Sequence, residues 1–279
     1  MFRFISSSLM IFALGICSYW AWNNTELREE LVGYIENGEF LTLEARYTPE
    51  QIMQSHQHEL IVDSEHSFRS PRLKFQPYLL MEVKYADSSQ KSKEGIILWS
   101  LLDGEMILDM KTWEKSTGFN EAILARANGH DFKILNTLVK RGGTIPIQKL
   151  QEELNVEYRQ SAEWIDSVLD KNLVVQSEGH LKLHIPNARF NVKPQTRINQ
   201  WLVSKPYSHA LRDPKKYSPK QIEKIALAAF GTNFKINHSK EMYLPIYTID
   251  VENSDGSIIS TEWNALTGQR LDGGVQLNS

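Results

Sequence analysis

The chain has 279 residues, of which 41% are apolar and 23% are charged, and its formal net charge is −3 at pH 7. This length and apolar content can support two or three hydrophobic cores, and the near balance of charge excludes a uniformly basic or acidic chain. A single cysteine, Cys17, excludes an internal disulfide.

The first feature along the chain is an uncharged segment, residues 4–22. Its length is close to the ~20 residues that span a bilayer, so the sequence predicts a retained transmembrane helix. Arg3 precedes it and Glu26 follows it, which predicts a single pass through a membrane with the bulk of the chain outside the cytoplasm. Signal-peptide cleavage and lipoprotein processing at Cys17 are the disfavoured alternatives, because large residues stand where both need small ones.

A tyrosine, a hydroxyl residue and a proline occur in this order twice, as Tyr47-Thr48-Pro49 and Tyr217-Ser218-Pro219. The hydroxyl can cap a helix and proline fits the first turn, so each motif predicts a helix start. Gln51 and Gln221 complete a capping box in each copy.

The residues after each motif also repeat. A proline precedes apolar residues at every second position, which indicates a strand with one buried face, and a tryptophan and a glycine turn follow. We therefore predict two α+β units, residues 40–112 and 217–275, each with a helix on an antiparallel sheet. The matched pairs are Pro77 and Pro245, Leu79 and Tyr247, Met81 and Ile249, Val83 and Val251, Trp99 and Trp263, and Gly104 and Gly268.

This order of elements resembles the PepSY and cystatin-like modules of bacterial envelope proteins. The residues that carry the resemblance are Pro245 to Val251, Asp255-Gly256 and Trp263 to Gly268, and the match is weaker over residues 47–109. The resemblance implies an extracytoplasmic, non-enzymatic module that binds or restrains another protein. It transfers no catalytic residue.

Residues 128–188, between the copies, follow a different pattern. Apolar spacing predicts helices over Asp131–Lys140, Ile147–Leu154 and Tyr158–Lys171. A hairpin with a Glu178-Gly179 turn follows. Three helices and a glycine-turned hairpin resemble a winged helix, which implies a fold and no particular function.

The charges of this insert decide whether it should bind DNA, because phosphate contacts need clustered Lys and Arg. The candidate recognition helix, Glu157–Lys171, carries two basic and four acidic side chains. Such a helix repels phosphate, so we expect no nucleic-acid partner.

Charge is unevenly distributed along the chain. Residues 24–110 carry eight basic and sixteen acidic side chains, whereas residues 189–240 carry eleven basic and two acidic. One interpretation is complementary packing of the two halves or a solvated face; the other is a basic patch for an acidic partner, anionic lipid or envelope polymer. In that second case the basic linker, residues 189–216, ends at the candidate contact residues Arg212, Lys215 and Lys216.

No P-loop, dinucleotide fingerprint, zinc-protease or serine-hydrolase motif occurs in the sequence. His56, His58 and His66 cluster near acidic residues, but in no known metal spacing, so we interpret them as polar surface. Trp99 and Trp263 are interpreted as core residues and not as a ligand-stacking pair. We predict no catalytic residue, no metal site and no cofactor.

Together these patterns predict an α+β fold class with an N-terminal transmembrane helix (4–22), two PepSY/cystatin-like α+β units and a winged-helix insert. With this resemblance, the expected protein is anchored in the bacterial inner membrane and acts in the envelope as a non-enzymatic protein-binding or regulatory scaffold. Its expected partners are the membrane and an envelope protein. The alternatives are a membrane-tethered winged-helix transcriptional regulator and an enzyme with an unrecognised site.

Overall fold

The computed structural model describes residues 40–61, 67–87, 89–198, 204–207, 211–253, 255–271 and 276–278. Within these ranges no helix is both long enough and apolar enough to cross a membrane. The predicted transmembrane segment, residues 4–22, lies outside them. The predicted fold class, which included that helix, is corrected on this finding to an α+β fold built on a mixed sheet.

Helices and strands are numbered here along the described part of the chain. The helices are α1 Pro49–Ser55, α2 Gln57–Leu60, α3 Phe119–Leu124, α4 Gly129–Lys140, α5 Ile147–Leu154, α6 Tyr158–Asp170 and α7 Pro219–Phe230. The strands are β1 Phe40–Leu43, β2 Ser67–Phe68, β3 Arg72–Ala86, β4 Ser92–Ser100, β5 Met106–Asp109, β6 Glu114–Lys115, β7 Thr144–Pro146, β8 Val174–Ser177, β9 His180–Leu183, β10 Ser204–Tyr207, β11 Leu211–Arg212, β12 Lys235–Glu252, β13 Ile258–Asn264 and β14 Gln276–Asn278. Strands β7, β9 and β8 form one sheet, and the other strands join a larger one.

Two long strands, β3 and β12, pair antiparallel in the middle of the larger sheet, with Gln76 opposite Leu244. These two residues directly precede Pro77 and Pro245, which hold the same place in the two copies of the repeat. An internal twofold axis therefore passes through the Gln76–Leu244 pair. Rotation about it brings either copy onto the other.

Each long strand continues into a hairpin of the same register. Leu79 of β3 lies opposite Trp99 of β4, and Tyr247 of β12 lies opposite Trp263 of β13. The predicted alignment of the repeat is thereby confirmed. Both tryptophans are fully buried, so their interpretation as core residues is confirmed as well.

The helices, however, are exchanged between the copies. Ile52 of α1, from the first copy, packs in one cluster with Ile249 and Trp263 of the second copy's hairpin. Phe230 of α7, from the second copy, lies edge-on to Trp99 of the first copy's hairpin, with ring centroids 6.4 Å apart. The expectation that each helix covers its own sheet is wrong, because apolar stripes of this kind fit either hairpin.

The strands that precede α1 and α7 also pair with the other copy. Strand β1 pairs in parallel with β12, where Thr42 lies opposite Tyr243. Strand β11 pairs in parallel with β3, where Arg212 lies opposite Phe75. We call β1 with α1, and β11 with α7, the arms of the first and second copy; each arm lies on the other copy.

Both arm helices begin as the sequence predicts. Thr48 accepts the N–H of Gln51 and Ser218 accepts the N–H of Gln221, and the glutamine side chains complete both capping boxes. Helix α7 then extends over 12 residues, but α1 over only 7. The first copy has the weaker apolar stripe, which accounts for its shorter helix.

The backbone in front of each arm helix is also held by the other copy. Tyr47 donates its N–H to the carbonyl oxygen of Ala265 at 3.0 Å, and Tyr217 donates to that of Leu101 at 2.9 Å. These acceptors hold equivalent places, two residues after the hairpin tryptophan of their copy. The exchange is therefore symmetric in its hydrogen bonds as well as in its packing.

The insert between the copies contains the three helices and the hairpin that the sequence predicts, namely α4, α5, α6 and β8–β9, with β7 added to the hairpin. It is joined to the first copy by an aromatic cluster. The ring of Phe119 lies 4.8 Å from Trp99, 5.9 Å from Phe132 of α4 and 5.5 Å from Phe190. The insert therefore shares one continuous core with the first copy's hairpin.

The exchange predicts which side chains depend on each other. Gly104 has a φ of +74°, and a Cβ there would lie 2.8 Å from the Tyr217 ring. Gly104→Ala should therefore destabilise the protein, and Tyr217→Ala should relieve part of that cost. In urea unfolding, the double-mutant cycle should give a coupling energy of about 1 kcal/mol.

The matched control is Tyr47→Ala, which truncates the equivalent tyrosine of the other copy. The losses in free energy of unfolding caused by Tyr47→Ala and by Gly104→Ala should add in the double variant. Coupling of Gly104 to Tyr47 in place of Tyr217 would show that each arm packs on its own copy.

Candidate functional site

Helix α6 of the insert turns a charged face and an aromatic ring toward solvent. Its inward side chains are buried, namely Ser161, Trp164, Ile165 and Val168. Tyr158, in the first turn, is 76% exposed. The side chain of Arg159 is 91% exposed and that of Glu163 is 65% exposed. Asp166 and Asp170 continue this outer face.

A buried carboxylate holds α6 against α4. Asp131 is fully buried and accepts hydrogen bonds from the N–H of Asn128 at 2.7 Å, the hydroxyl of Ser167 at 2.9 Å and the ammonium of Lys171 at 2.5 Å. A buried carboxylate is tolerated when it is paired and hydrogen-bonded in this way. The pair fixes the C-terminal end of α6, so the helix presents a rigid face.

These contacts decide the electrostatics of the face. Lys171 directs its charge inward to Asp131. The Arg159 guanidinium lies 3.4 Å from the Glu163 carboxylate, one turn along the helix. The outer face of α6, defined by Tyr158, Arg159, Glu163, Asp166 and Asp170, is therefore acidic apart from its first turn.

Each of the predicted basic contact residues meets a partner elsewhere in the fold. Arg212 lies on β11 with its guanidinium over two aromatic rings, 5.2 Å from the centroid of Phe40 and 5.9 Å from that of Tyr243. This cation–π geometry joins the second copy's arm to the ring of Phe40 in the first copy's arm. The side chain therefore has a structural role.

The two lysines of that set also have partners. Lys215 lies 3.1 Å from the carboxylate of Glu241, and Lys216 donates to the side-chain oxygen of Asn120 at 3.2 Å. Two neighbouring basic residues behave alike, since Arg197 lies 3.2 Å from Asp109 and Arg189 lies 2.7 Å from Glu114. These pairs favour complementary packing over an anion-binding patch.

Two of the histidines singled out in the sequence, His56 and His58, lie at and just after the end of α1. His56 lies 3.3 Å from the carboxylate of Glu59 and packs on the ring of Trp263. His58 is exposed on α2, and His66 lies outside the described residues. Across the described ranges, no group of three or more His, Cys, Asp and Glu side chains is placed to hold a metal ion.

A cavity of about 330 Å³ opens on the sheet near the start of β12. The residues that line it are Glu82, Val83, Glu94, Gly95, Ile96 and Asn237. Two exposed carboxylates and an amide can attract a cationic group, but this lining offers no hydroxyl, thiol or imidazole nucleophile.

Sequence reasoning missed a polar cluster around Glu105, which follows the glycine turn of the first hairpin. One carboxylate oxygen accepts the N–H groups of Gly118 and Asn120 at 2.9 and 3.0 Å, and the other accepts the hydroxyl of Ser116 at 2.5 Å. The carboxylate thus holds the N-terminus of α3, where an anion is favoured. The repeat gives no signal for this contact, because the equivalent residue of the second copy is a glutamine, which carries no charge.

The same cluster reaches the exchanged arm. Asn120 accepts the hydroxyl of Tyr217 at 2.5 Å. Lys115 donates to the carboxylate of Asp103 at 2.5 Å. Burial raises the pKa of Glu105, although its three hydrogen bonds act in the opposite direction. The cluster joins the turn, α3 and the second arm.

No family model, curated protein or solved structure matches this chain. The resemblance of the two copies to PepSY and cystatin-like modules, and that of the insert to a winged helix, therefore stay predictions from the sequence.

The raised pKa of Glu105 predicts a pH dependence of stability. A carboxyl group with a raised pKa in the folded state stabilises fully below its unfolded pKa of about 4.3, and that contribution is lost as pH rises through the folded value. The free energy of unfolding of the native protein, relative to Glu105→Gln, should therefore fall as pH rises above about 4.3.

Denaturant unfolding at a series of pH values measures this difference. Tyr217→Phe is the control, because it removes an uncharged hydrogen bond from the same cluster, and its cost should stay constant over the same pH series. A difference for Glu105→Gln that is flat with pH would contradict the role assigned to burial.

Proposed function

We propose that this protein is a non-enzymatic protein-binding scaffold, and that the outer face of α6 contacts a partner protein with a basic surface. The observation that carries the proposal is the exposure of Tyr158 and Arg159 beside the acidic residues of that face. Tyrosine and arginine are the residue types that most often dominate protein contacts.

The contacts that hold α6 in place suit a binding role for its outer face. Asp131 and Lys171 tie α6 to α4, and the ring of His130 stacks on Trp164 at 4.3 Å. A preorganised face loses little conformational entropy on binding. The two exchanged copies form the body that carries the insert, since the Phe119 cluster joins the insert to the hairpin of the first copy.

Charge favours a protein over a nucleic acid at this face. Glu163, Asp166 and Asp170 are exposed, and the Arg159 guanidinium already faces Glu163. Duplex DNA carries one negative charge per ~1.7 Å of axis, so the face opposes it. A basic protein surface complements the same charges.

Charge reversal on the outer face of α6 should weaken binding of the partner. We expect Glu163→Lys/Asp166→Lys to reduce capture of the partner by the immobilised full chain about tenfold or more, because two attractive contacts become repulsive. Quantitative mass spectrometry of proteins retained from an extract of the source organism measures this. Capture by the native chain should also weaken between ~50 and ~200 mM salt.

The matched control is Glu121→Lys/Glu152→Lys, which makes the same change of net charge on exposed residues of α3 and α5. It should retain the partner. Equal loss in both double variants would mean that α6 is not the contact surface.

The full chain should not bind duplex DNA measurably at moderate salt, by fluorescence anisotropy with a labelled duplex, because α6 opposes phosphate. A neutral protein of similar size is the reference. Salt-dependent binding that Arg159→Ala weakens would overturn the proposal and would favour a transcriptional regulator.

A further inference from the structure

The interface between the two copies has two ends, which the twofold axis relates to each other, and the two ends differ in chemistry. At one end Lys74 of β3 lies between two carboxylates of the second copy. Its ammonium lies 3.1 Å from Asp213, next to β11, and 2.5 Å from Glu262 of β13. Gln76 donates to the same Glu262 at 3.4 Å. We call Lys74, Asp213 and Glu262 the ionic triad.

The equivalent residues at the other end follow from the repeat. Lys74 stands three residues before Pro77, as Met242 does before Pro245. Asp213 stands four residues before Tyr217, as Leu43 does before Tyr47. Glu262 directly precedes Trp263, as Leu98 precedes Trp99. The counterpart of the ionic triad is therefore Leu43, Leu98 and Met242.

These three residues form an apolar contact of their own. Leu43, Leu98 and Met242 belong to one hydrophobic cluster and are 3%, 0% and 1% exposed. The ionic triad is half-buried, since the side chains of Lys74, Asp213 and Glu262 are 16%, 16% and 24% exposed. The two copies are therefore in favourable contact at both ends, through charge pairing at one end and through burial of apolar side chains at the other.

We infer that the ionic triad makes each copy of the repeat accept the other copy and reject a second copy of itself. A twofold surface built from two identical copies would be self-complementary, so two chains could exchange halves. The unequal ends prevent this, because both ends fit only when a first copy meets a second copy.

Each wrong pairing leaves uncompensated charge. If two second copies paired, Met242 would replace Lys74, and Asp213 and Glu262 would face each other without a cation at both ends. If two first copies paired, the Lys74 ammonium would meet the buried side chains of Leu43 and Leu98. Unpaired charges in such places are strongly unfavourable.

The test removes the tether between the copies. A protease site inserted after Asn187, which is exposed, allows the folded full chain to be cut into an amino-terminal and a carboxyl-terminal fragment. The two fragments are unfolded together in urea and refolded, and native mass spectrometry counts each pairing. For the native sequence, mixed pairs should exceed pairs of carboxyl-terminal fragments by at least about tenfold.

The triple variant Lys74→Met/Asp213→Leu/Glu262→Leu copies the apolar end onto the ionic end. We expect pairs of carboxyl-terminal fragments to rise at least about tenfold relative to the native sequence. Abundant like pairs from the native sequence, or mixed pairs alone from a folded triple variant, would overturn the inference.

Two further variants keep the test decisive if the triple variant folds poorly. Lys74→Met alone leaves both carboxylates in place, so mixed pairing should be weakened and should recover when Asp213 and Glu262 are neutralised to Asn and Gln. Lys93→Met is the matched control, because Lys93 and its partner Asp87 lie in the same fragment. It should leave the choice of partner unchanged, and an effect equal to that of Lys74→Met would contradict the inference.

Discussion

The antiparallel pairing of β3 with β12 about Gln76 and Leu244 is the constraint on which the other contacts depend. It sets two equivalent hairpins on opposite sides of one axis, and the arm of the other copy packs on an apolar face of each hairpin. The aromatic cluster under Trp99 then attaches the insert to one of these hairpins. The acidic face of α6 is thereby held on a body that neither copy could build alone.

Local signals in the sequence were sufficient for the parts of the fold that depend on neighbouring residues. The capping residues Thr48 and Ser218 mark both helix starts, and the spacing of Trp99 and Trp263 gives the hairpin register. A capping box or a period-two strand is readable because its partners lie a few residues apart. The exchange of arms is not readable, because an apolar stripe does not specify which hairpin it covers.

The candidate sites show the same division. The acidic character of α6 follows from its own residues, and the structure adds that Lys171 directs its charge inward. Arg212, Lys215 and Lys216 look like a patch in sequence, but each meets a partner that is distant along the chain. The contacts of Glu105 with Ser116 and Asn120, and the ionic triad, likewise join residues that the sequence does not connect.

The exchange of arms also sets an order of events during synthesis. Helix α1 is made before the insert, but the hairpin it covers, β12 with β13, is made after the insert. In the same way, the first hairpin is made before α7, the helix that packs on it. Such distant pairings form slowly and leave apolar surface exposed in the meantime. The insert, whose contacts are mostly local, is the part that can fold while translation continues, so the nascent chain acquires its α6 face before its body closes.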